Sequence, residues 1–109
     1  MKPEISYDDF TRLDLRVATV LSAREHPNAD KLLLLQVDLG DRQTQVVAGI
    51  RGHYEVDNLA GRQIIVLTNL EEALLRGEES NGMLLAAADG DAPVLLKPDR
   101  ECPPGTPIK

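Results

Sequence analysis

A short polar stretch that leads into an apolar run holds the residues of this chain best suited to bind a ligand. Residues 76–83 read Arg-Gly-Glu-Glu-Ser-Asn-Gly-Met, and five apolar residues follow. Two glycines bracket Ser80 and Asn81, and Gly82 lacks the Cβ that would keep another molecule away from the backbone N–H groups. The hydroxyl and the amide can donate and accept hydrogen bonds, and the adaptable thioether of Met83 can pack on a flat apolar group. This spacing favours a surface open to close approach, although an acidic pair stands in the same stretch.

Four cations are candidates to contact an anionic ligand. Arg76 begins the polar stretch, and Lys31 follows a loop that reads His-Pro-Asn-Ala-Asp. Arg16 and Arg42 fall in predicted strands, from which they would flank a groove of the fold. The chain as a whole has 12 Lys and Arg against 18 Asp and Glu, a net charge of −6. A net negative charge is unusual for a nucleic-acid binder. Binding of an anionic partner would therefore depend on the local placement of the cations and not on the total charge.

The remaining reactive side chains predict neither a catalytic nor a metal site. His26, His53 and Cys102 are too scattered for a zinc site, which needs close pairs of ligands. No serine has the local context of an activated nucleophile. We therefore expect no catalytic residue, no metal and no cofactor.

The composition is that of a small globular domain from a reducing compartment. The 109 residues can bury one modest core. The lone Cys102 allows no internal disulfide, so the expected location is the cytoplasm. No apolar run reaches the roughly 18 residues that span a membrane, and no membrane partner is expected. A row of aromatic stacking platforms is excluded, because the only aromatic residues are Tyr7, Phe10 and Tyr54.

The elements that position these residues are predicted to be mainly strands. Ser6 can cap a short helix at 7–13, and a second short helix is expected at 55–60, ended by Gly61. Gly40 lies in the turn of a predicted hairpin. Alternation of apolar and polar residues, interrupted by turn residues, predicts five strands, at 14–24, 32–39, 43–48, 62–70 and 83–88.

This order of elements indicates an all-β fold. Five strands with a short helix between the third and the fourth are the layout of an OB-fold barrel, whereas the alternative, an SH3-like barrel, usually lacks that helix. We expect one domain over residues 1–109, with the barrel at 7–90. The segment 91–109 carries five prolines and is expected to be extended, with one short strand at 94–96. Its apolar residues are candidates for a dimer contact: Val94, Leu95, Leu96 and Ile108.

Several motifs, taken together, resemble a known family. In chain order they are Asp-Leu-Arg-Val-Ala at 14–18, His-Pro-Asn-Ala-Asp-Lys-Leu at 26–32, Val-Asp-Leu-Gly at 37–40, Asn-Leu at 69–70, Arg-Gly at 76–77 and Ser-Asn-Gly-Met-Leu-Leu-Ala-Ala at 80–87. In this order and spacing they resemble the tRNA-binding domain found at the C-terminus of many methionyl-tRNA synthetases. The same domain occurs as free-standing tRNA-binding proteins and in a bacterial export-chaperone relative. The resemblance covers residues 7–109.

The resemblance implies a function and a set of binding residues. It implies an OB-fold without catalysis of its own, homodimers in many members, and recognition of tRNA shape rather than of anticodon sequence. The implied partners are tRNA and, where the domain is part of that enzyme, the catalytic domain of methionyl-tRNA synthetase. The binding positions of the family fall on Lys31, Asn69, Arg76, Ser80, Asn81, Gly82 and Met83, with Arg16 and Arg42 as flanking candidates.

The chain departs from the family pattern in charge. Where relatives carry a basic stretch after the Asn-Leu pair, this chain reads Glu-Glu-Ala-Leu at 71–74, and Glu78 stands where an apolar residue is usual. Weaker tRNA binding than in typical relatives is therefore expected. Two alternatives stay open: a dimerisation or protein-interaction module with weakened RNA affinity, and a chaperone-like peptide binder. The start at Met1 favours a free-standing protein over part of a synthetase.

Overall fold

Strands carry almost all of the regular structure of this chain, as the sequence predicts. The computed structural model describes all residues, 1–109. It contains one α-helix, α1 (Tyr7–Thr11), and one 3-10 helix (Val56–Asn58). The ten strands are β1 (Leu15–Glu25), β2 (Leu33–Asp38), β3 (Gln43–Ala48), β4 (Gln63–Leu67), β5 (Ala73–Leu75), β6 (Glu78–Ser80), β7 (Met83–Leu84), β8 (Ala86–Asp89), β9 (Ala92–Leu95) and β10 (Pro107–Ile108).

The long strand β1 organises the main sheet. It pairs antiparallel with β2, β4 and β10, and the sheet has the order β3-β2-β1-β4-β7. The register of β1 against β2 shifts between Val20 and Ser22. Such a bulge bends and twists a strand, and it lets one strand serve two parts of a curled sheet. The curled antiparallel sheet confirms the predicted all-β, OB-like barrel.

The core lies on the concave side of this sheet. Ala18 and Val20 of β1 are buried there with Leu33 and Leu35 of β2. Leu34 is equally buried, although alternation turns it to the other face. The three successive leucines at 33–35 therefore belong to a strand that is covered on both faces, while Leu32 lies just before it.

Several elements differ from the sequence expectation: the strands expected at 62–70 and 94–96 are β4 and β9, and β5, β6 and β10 were not predicted. The helix expected at 55–60 is a single 3-10 turn, since its first residue offers no side-chain cap. The strand expected at 83–88 divides into β7, which pairs with β4, and β8, which pairs with β9. Alanines 86–88, which form most of β8, have little apolar surface to bury in a core, and they are exposed. In β1 the alternation breaks at the bulge, where Leu21 is 41% exposed.

Local signals explain both ends of the chain. Ser6 forms a capping box with Asp9, so α1 begins where the sequence predicts. Near the other end, Gly105 donates its N–H to the carbonyl of Val17 at 2.7 Å, and the Val17 N–H bonds to Thr106 at 2.9 Å. These bonds hold the last residues along β1. Neither of the two helices has the length or the apolar character of a membrane-spanning segment.

Candidate nucleic-acid interface

His26 joins two segments that carry candidate cations. It is only 2% exposed. Its Nδ1 accepts a hydrogen bond from the Asn28 N–H at 2.9 Å, so the ring proton is on Nε2, which lies 2.9 Å from the carbonyl oxygen of Leu75. The ring thus connects the loop between β1 and β2 to the hairpin of β5 and β6. Lys31 lies in that loop and Arg76 in the turn of that hairpin, so two predicted site residues are brought to one region.

Arg51 fixes the backbone of the loop that carries Lys31. Its guanidinium contacts Glu25 at 3.0 Å and donates to the carbonyl oxygens of Ala29, at 3.0 Å, and of His26, at 3.4 Å. Its backbone N–H donates to the carbonyl of Lys31 at 3.3 Å. The Lys31 side chain is exposed and forms no ion pair. Sequence reasoning missed Arg51, because it lies in a connector with no motif around it.

The β5–β6 turn displays Arg76. Arg76 and Gly77 have φ values of +54° and +90°, both in the left-handed region that a two-residue type I′ turn requires. Leu75 pairs with Glu78 across this turn. Arg76 is exposed and, like Lys31, has no carboxylate partner.

Ser80 and Gly82 turn inward. Ser80 is 5% exposed, and its Oγ accepts from the Val47 N–H at 2.9 Å and donates to the Gly82 carbonyl at 3.0 Å. Gly82 has a φ of +126°, and a Cβ there would stand 2.9 Å from the backbone oxygen of Leu67. The serine ties the loop to β3, and the glycine lets it approach β4. Their predicted contacts with a ligand stay predictions, since a ligand would compete with these internal contacts.

The other predicted side chains of this loop differ in availability. Asn69 is engaged at both ends of its amide, accepting from the Asp14 N–H at 2.9 Å and donating to the Arg12 carbonyl at 2.6 Å. Asn81 uses its backbone N–H on Gln45 at 2.9 Å, while its half-buried side chain makes no hydrogen bond. Met83 is 47% exposed. Asn81 and Met83 are therefore free to meet a ligand without breaking a bond.

Arg16 and Arg42 lie in an ion cluster instead. Arg16 donates two hydrogen bonds to the Asp14 carboxylate, at 3.0 and 3.2 Å, and lies 3.6 Å from Asp41. These bonds hold the pKa of Asp14 below its usual value, and Asp14 in turn raises the pKa of Arg16. Arg42 was expected in a strand, but it precedes β3 and lies in the turn, 3.4 Å from Asp41. The turn forms because the Leu39 N–H bonds to the Arg42 carbonyl at 2.8 Å.

The acids near the hairpin fall into two groups. The carboxylate of Glu78 is half-buried, 3.3 Å from the side-chain amide of Gln45 and 3.7 Å from Arg24. Glu71 and Glu72 are exposed and form no ion pair. The charge of Glu78 is thus partly compensated, whereas that of the exposed pair is not.

Known proteins resemble this chain over nearly its whole length. Residues 15–107 match the family model described as "Putative tRNA binding domain". The chain is 47% identical over 105 residues to the methionine–tRNA ligase of Thermococcus kodakarensis, covering 96% of this chain and 14% of that enzyme. It therefore spans only a small part of such relatives.

Solved structures agree with this likeness. The MetRS-related protein of Pyrococcus horikoshii superimposes with a TM-score of 0.92 at 28% identity, over 99% of this chain and 100% of that one. The chaperone CsaA of Bacillus anthracis gives 0.90 at 32% identity, over 98% and 100%. The motif match, the barrel and these likenesses agree, and the chain belongs to the tRNA-binding domain family as a binding module rather than a catalytic one.

Proposed function

We propose that this chain binds tRNA by shape through a recognition surface formed by Lys31, Arg76, Asn81 and Met83. The observation that carries the proposal is the bridge of His26, which brings the loop of Lys31 to the turn of Arg76. Both cations are exposed and unpaired, so neither must leave an internal partner to meet a phosphate.

The chemistry of this surface suits a structured RNA. Cations and polar side chains that contact phosphate and sugar fix the position of a partner without reading its sequence. The thioether of Met83 offers an apolar contact to an unstacked base, and the Asn81 amide can bond a ribose or a base edge. Since no aromatic side chain belongs to the surface, it lacks the stacking platforms of a single-strand binder. A surface that contacts phosphate and sugar but offers no aromatic ring for stacking is suited to recognise the shape of an RNA rather than its sequence.

We propose that the inward-facing site residues hold the recognition surface in position and do not contact the tRNA. Ser80 and Gly82 attach the end of the loop to β3 and β4, and Asn69 attaches its beginning to the segment before β1. We place Arg16 and Arg42 outside the recognition surface, because their ion pairs with Asp14 and Asp41 would have to break before either could meet a phosphate. Such a module serves as a tether for tRNA in the cytoplasm, either alone or beside the catalytic domain of a synthetase.

We also propose that two copies associate through the β8–β9 hairpin. Its alanines 86–88 are exposed, as are Val94 and Leu96, at 45% and 41%. Leu95 packs against the core and Ile108 pairs with β1, so neither is as available. Sedimentation velocity at two concentrations is expected to find a dimer, and the substitution Val94→Glu is expected to give a monomer. A monomer at every concentration for the unaltered chain would contradict this.

Binding to bulk tRNA tests the proposed function. At about 50 mM salt, where phosphate contacts are strong, filter binding is expected to give saturable complexes that a single-stranded RNA of equal length displaces poorly. Equal displacement by the single-stranded RNA would refute recognition of shape. Absence of binding at the highest protein concentration that stays soluble would refute the function itself.

A further inference from the structure

We infer that a second cleft, lined by Arg62, Lys97 and the neighbouring Arg100, binds phosphate groups of the RNA backbone. The inference rests on the proposed function and adds a second contact to it. A cavity of about 400 Å³ is lined by Tyr54, Arg62, Gln63, Leu95 and Lys97. It adjoins one of about 300 Å³ that shares Gln63 and Lys97 and includes Arg100. Neither contains a residue of the recognition surface.

The guanidinium of Arg62 is held in place at the mouth of this cleft. Its Cζ lies 5.4 Å from the centre of the Tyr54 ring, and its Nε donates to the carbonyl of Asn58 at 2.9 Å. The two terminal nitrogens make no hydrogen bond within the chain. A planar, oriented guanidinium with free donors is well suited to a phosphate, because little side-chain entropy is lost on binding.

Internal hydrogen bonds also fix the wall that carries Lys97 and Arg100. The Tyr54 hydroxyl accepts from the Leu95 N–H at 3.1 Å. On the other side, the Gln63 amide donates to the Cys102 carbonyl at 2.6 Å and accepts from the Cys102 N–H at 2.9 Å. Both ends of the segment that bears the two cations are thus attached to the barrel.

The cations of the cleft are not held in ion pairs within the chain. None of Arg62, Lys97 and Arg100 forms an ion pair, although acids outnumber cations by 18 to 12. Asp99 and Glu101 line the adjoining cavity, and they pair with none of the three. With these two carboxylates the three cations leave the cleft a net charge of +1, a local excess of positive charge on a chain whose total charge is −6.

The chemistry indicates phosphate rather than a base as the ligand. Arg62 covers one face of Tyr54, the only aromatic residue of the cleft, which leaves that face closed to a stacked base. The cleft instead presents three cationic side chains with N–H donors. Such groups, spaced along a cleft, can contact successive phosphates of an RNA backbone. A second basic contact also explains how a chain of net charge −6 can hold a tRNA.

The double substitution Arg62→Gln with Lys97→Gln tests this contact. The slope of log K for tRNA against log salt is expected to fall by about two units, one for each cation that no longer neutralises a phosphate. A second double variant, Lys97→Gln with Arg100→Gln, keeps the contact of Arg62 with Tyr54. It should lower the slope by a similar amount, which would show that the loss of charge and not the loss of that contact is responsible. Lys2→Gln with Lys109→Gln is the matched control, since it removes two exposed, unpaired cations elsewhere. A slope for the cleft variants equal to that of the control would overturn the inference.

Inorganic pyrophosphate gives an independent readout that does not need tRNA. Backbone amide signals near Arg62 and Lys97 are expected to shift with pyrophosphate in the unaltered chain and not in the double variant. If tRNA does not bind at all, the proposed function fails, and these shifts alone decide whether the cleft takes phosphate. Pyrophosphate shifts combined with an unchanged tRNA slope would mark a site for free phosphate and overturn the RNA contact. No shifts and no change in slope would overturn both.

Discussion

Replacing Gly82 by alanine is expected to lower the free energy of unfolding by about 3 kcal/mol. At its φ of +126° a side chain is strained, and the new Cβ would stand 2.9 Å from the carbonyl oxygen of Leu67 and 3.1 Å from a methyl carbon of Val66. The first of these atoms is backbone and cannot move without disturbing β4. Urea denaturation followed by circular dichroism measures the loss, which should appear as a lower midpoint with an unchanged slope.

Gly61→Ala is the control for that substitution. Gly61 has a φ of +90°, but nothing lies within 4 Å of the position its Cβ would occupy. It should therefore carry only the backbone cost of about 1 kcal/mol. If both variants lose the same stability, the close approach of the loop to β4 is not what requires glycine at position 82.

The double substitution Glu71→Lys with Glu72→Lys is expected to tighten tRNA binding by about tenfold or more at low salt. Both side chains are exposed and unpaired, and they precede the hairpin that displays Arg76. The change removes two charges that repel phosphate and adds two that attract it. Glu78 is left in place, since it contacts Gln45 and Arg24. Filter binding over a series of salt concentrations measures both the affinity and the steeper salt slope.

An equal change of charge elsewhere separates position from net charge. Glu4→Lys with Asp8→Lys alters two exposed, unpaired acids of the N-terminal segment, which carries no residue of the recognition surface or of the proposed dimer contact. This control should raise affinity far less than the change at 71 and 72. An equal gain would mean that total charge governs binding. No gain at 71 and 72, with weak binding throughout, would favour a protein-interaction module.

Local patterns were sufficient to predict β1 to β4 and the turn between β2 and β3, but not the short strands β5, β6 and β10. The alternation of apolar and polar residues over 43–48 and the turn at Gly40 locate β2 and β3. Both signals depend only on residues that are neighbours in the sequence. The capping box at Ser6 is equally local. The extent of the fifth strand could not be predicted this way, since its alanines fit a strand whether or not anything packs on them.

The roles within the site depend on distant partners, which a single sequence does not reveal. The motif residue Ser80 bonds to Val47, and His26 bonds to Leu75, 49 residues away. A serine between glycines looks the same whether its hydroxyl points to solvent or to a strand. Resemblance to a family thus indicated a candidate region, while the division into inward-facing and exposed side chains required the fold.

The salt dependence of tRNA binding by the double variant Lys31→Gln with Arg76→Gln tests the central claim most directly. Because both side chains are exposed and unpaired, the variant should keep the stability of the unaltered chain. We expect weaker binding at about 50 mM salt and a salt slope smaller by about two units, because two phosphate contacts are lost. Lys2→Gln with Lys109→Gln should leave both nearly unchanged. Affinity and slope equal to those of the unaltered chain would show that tRNA does not bind at the recognition surface.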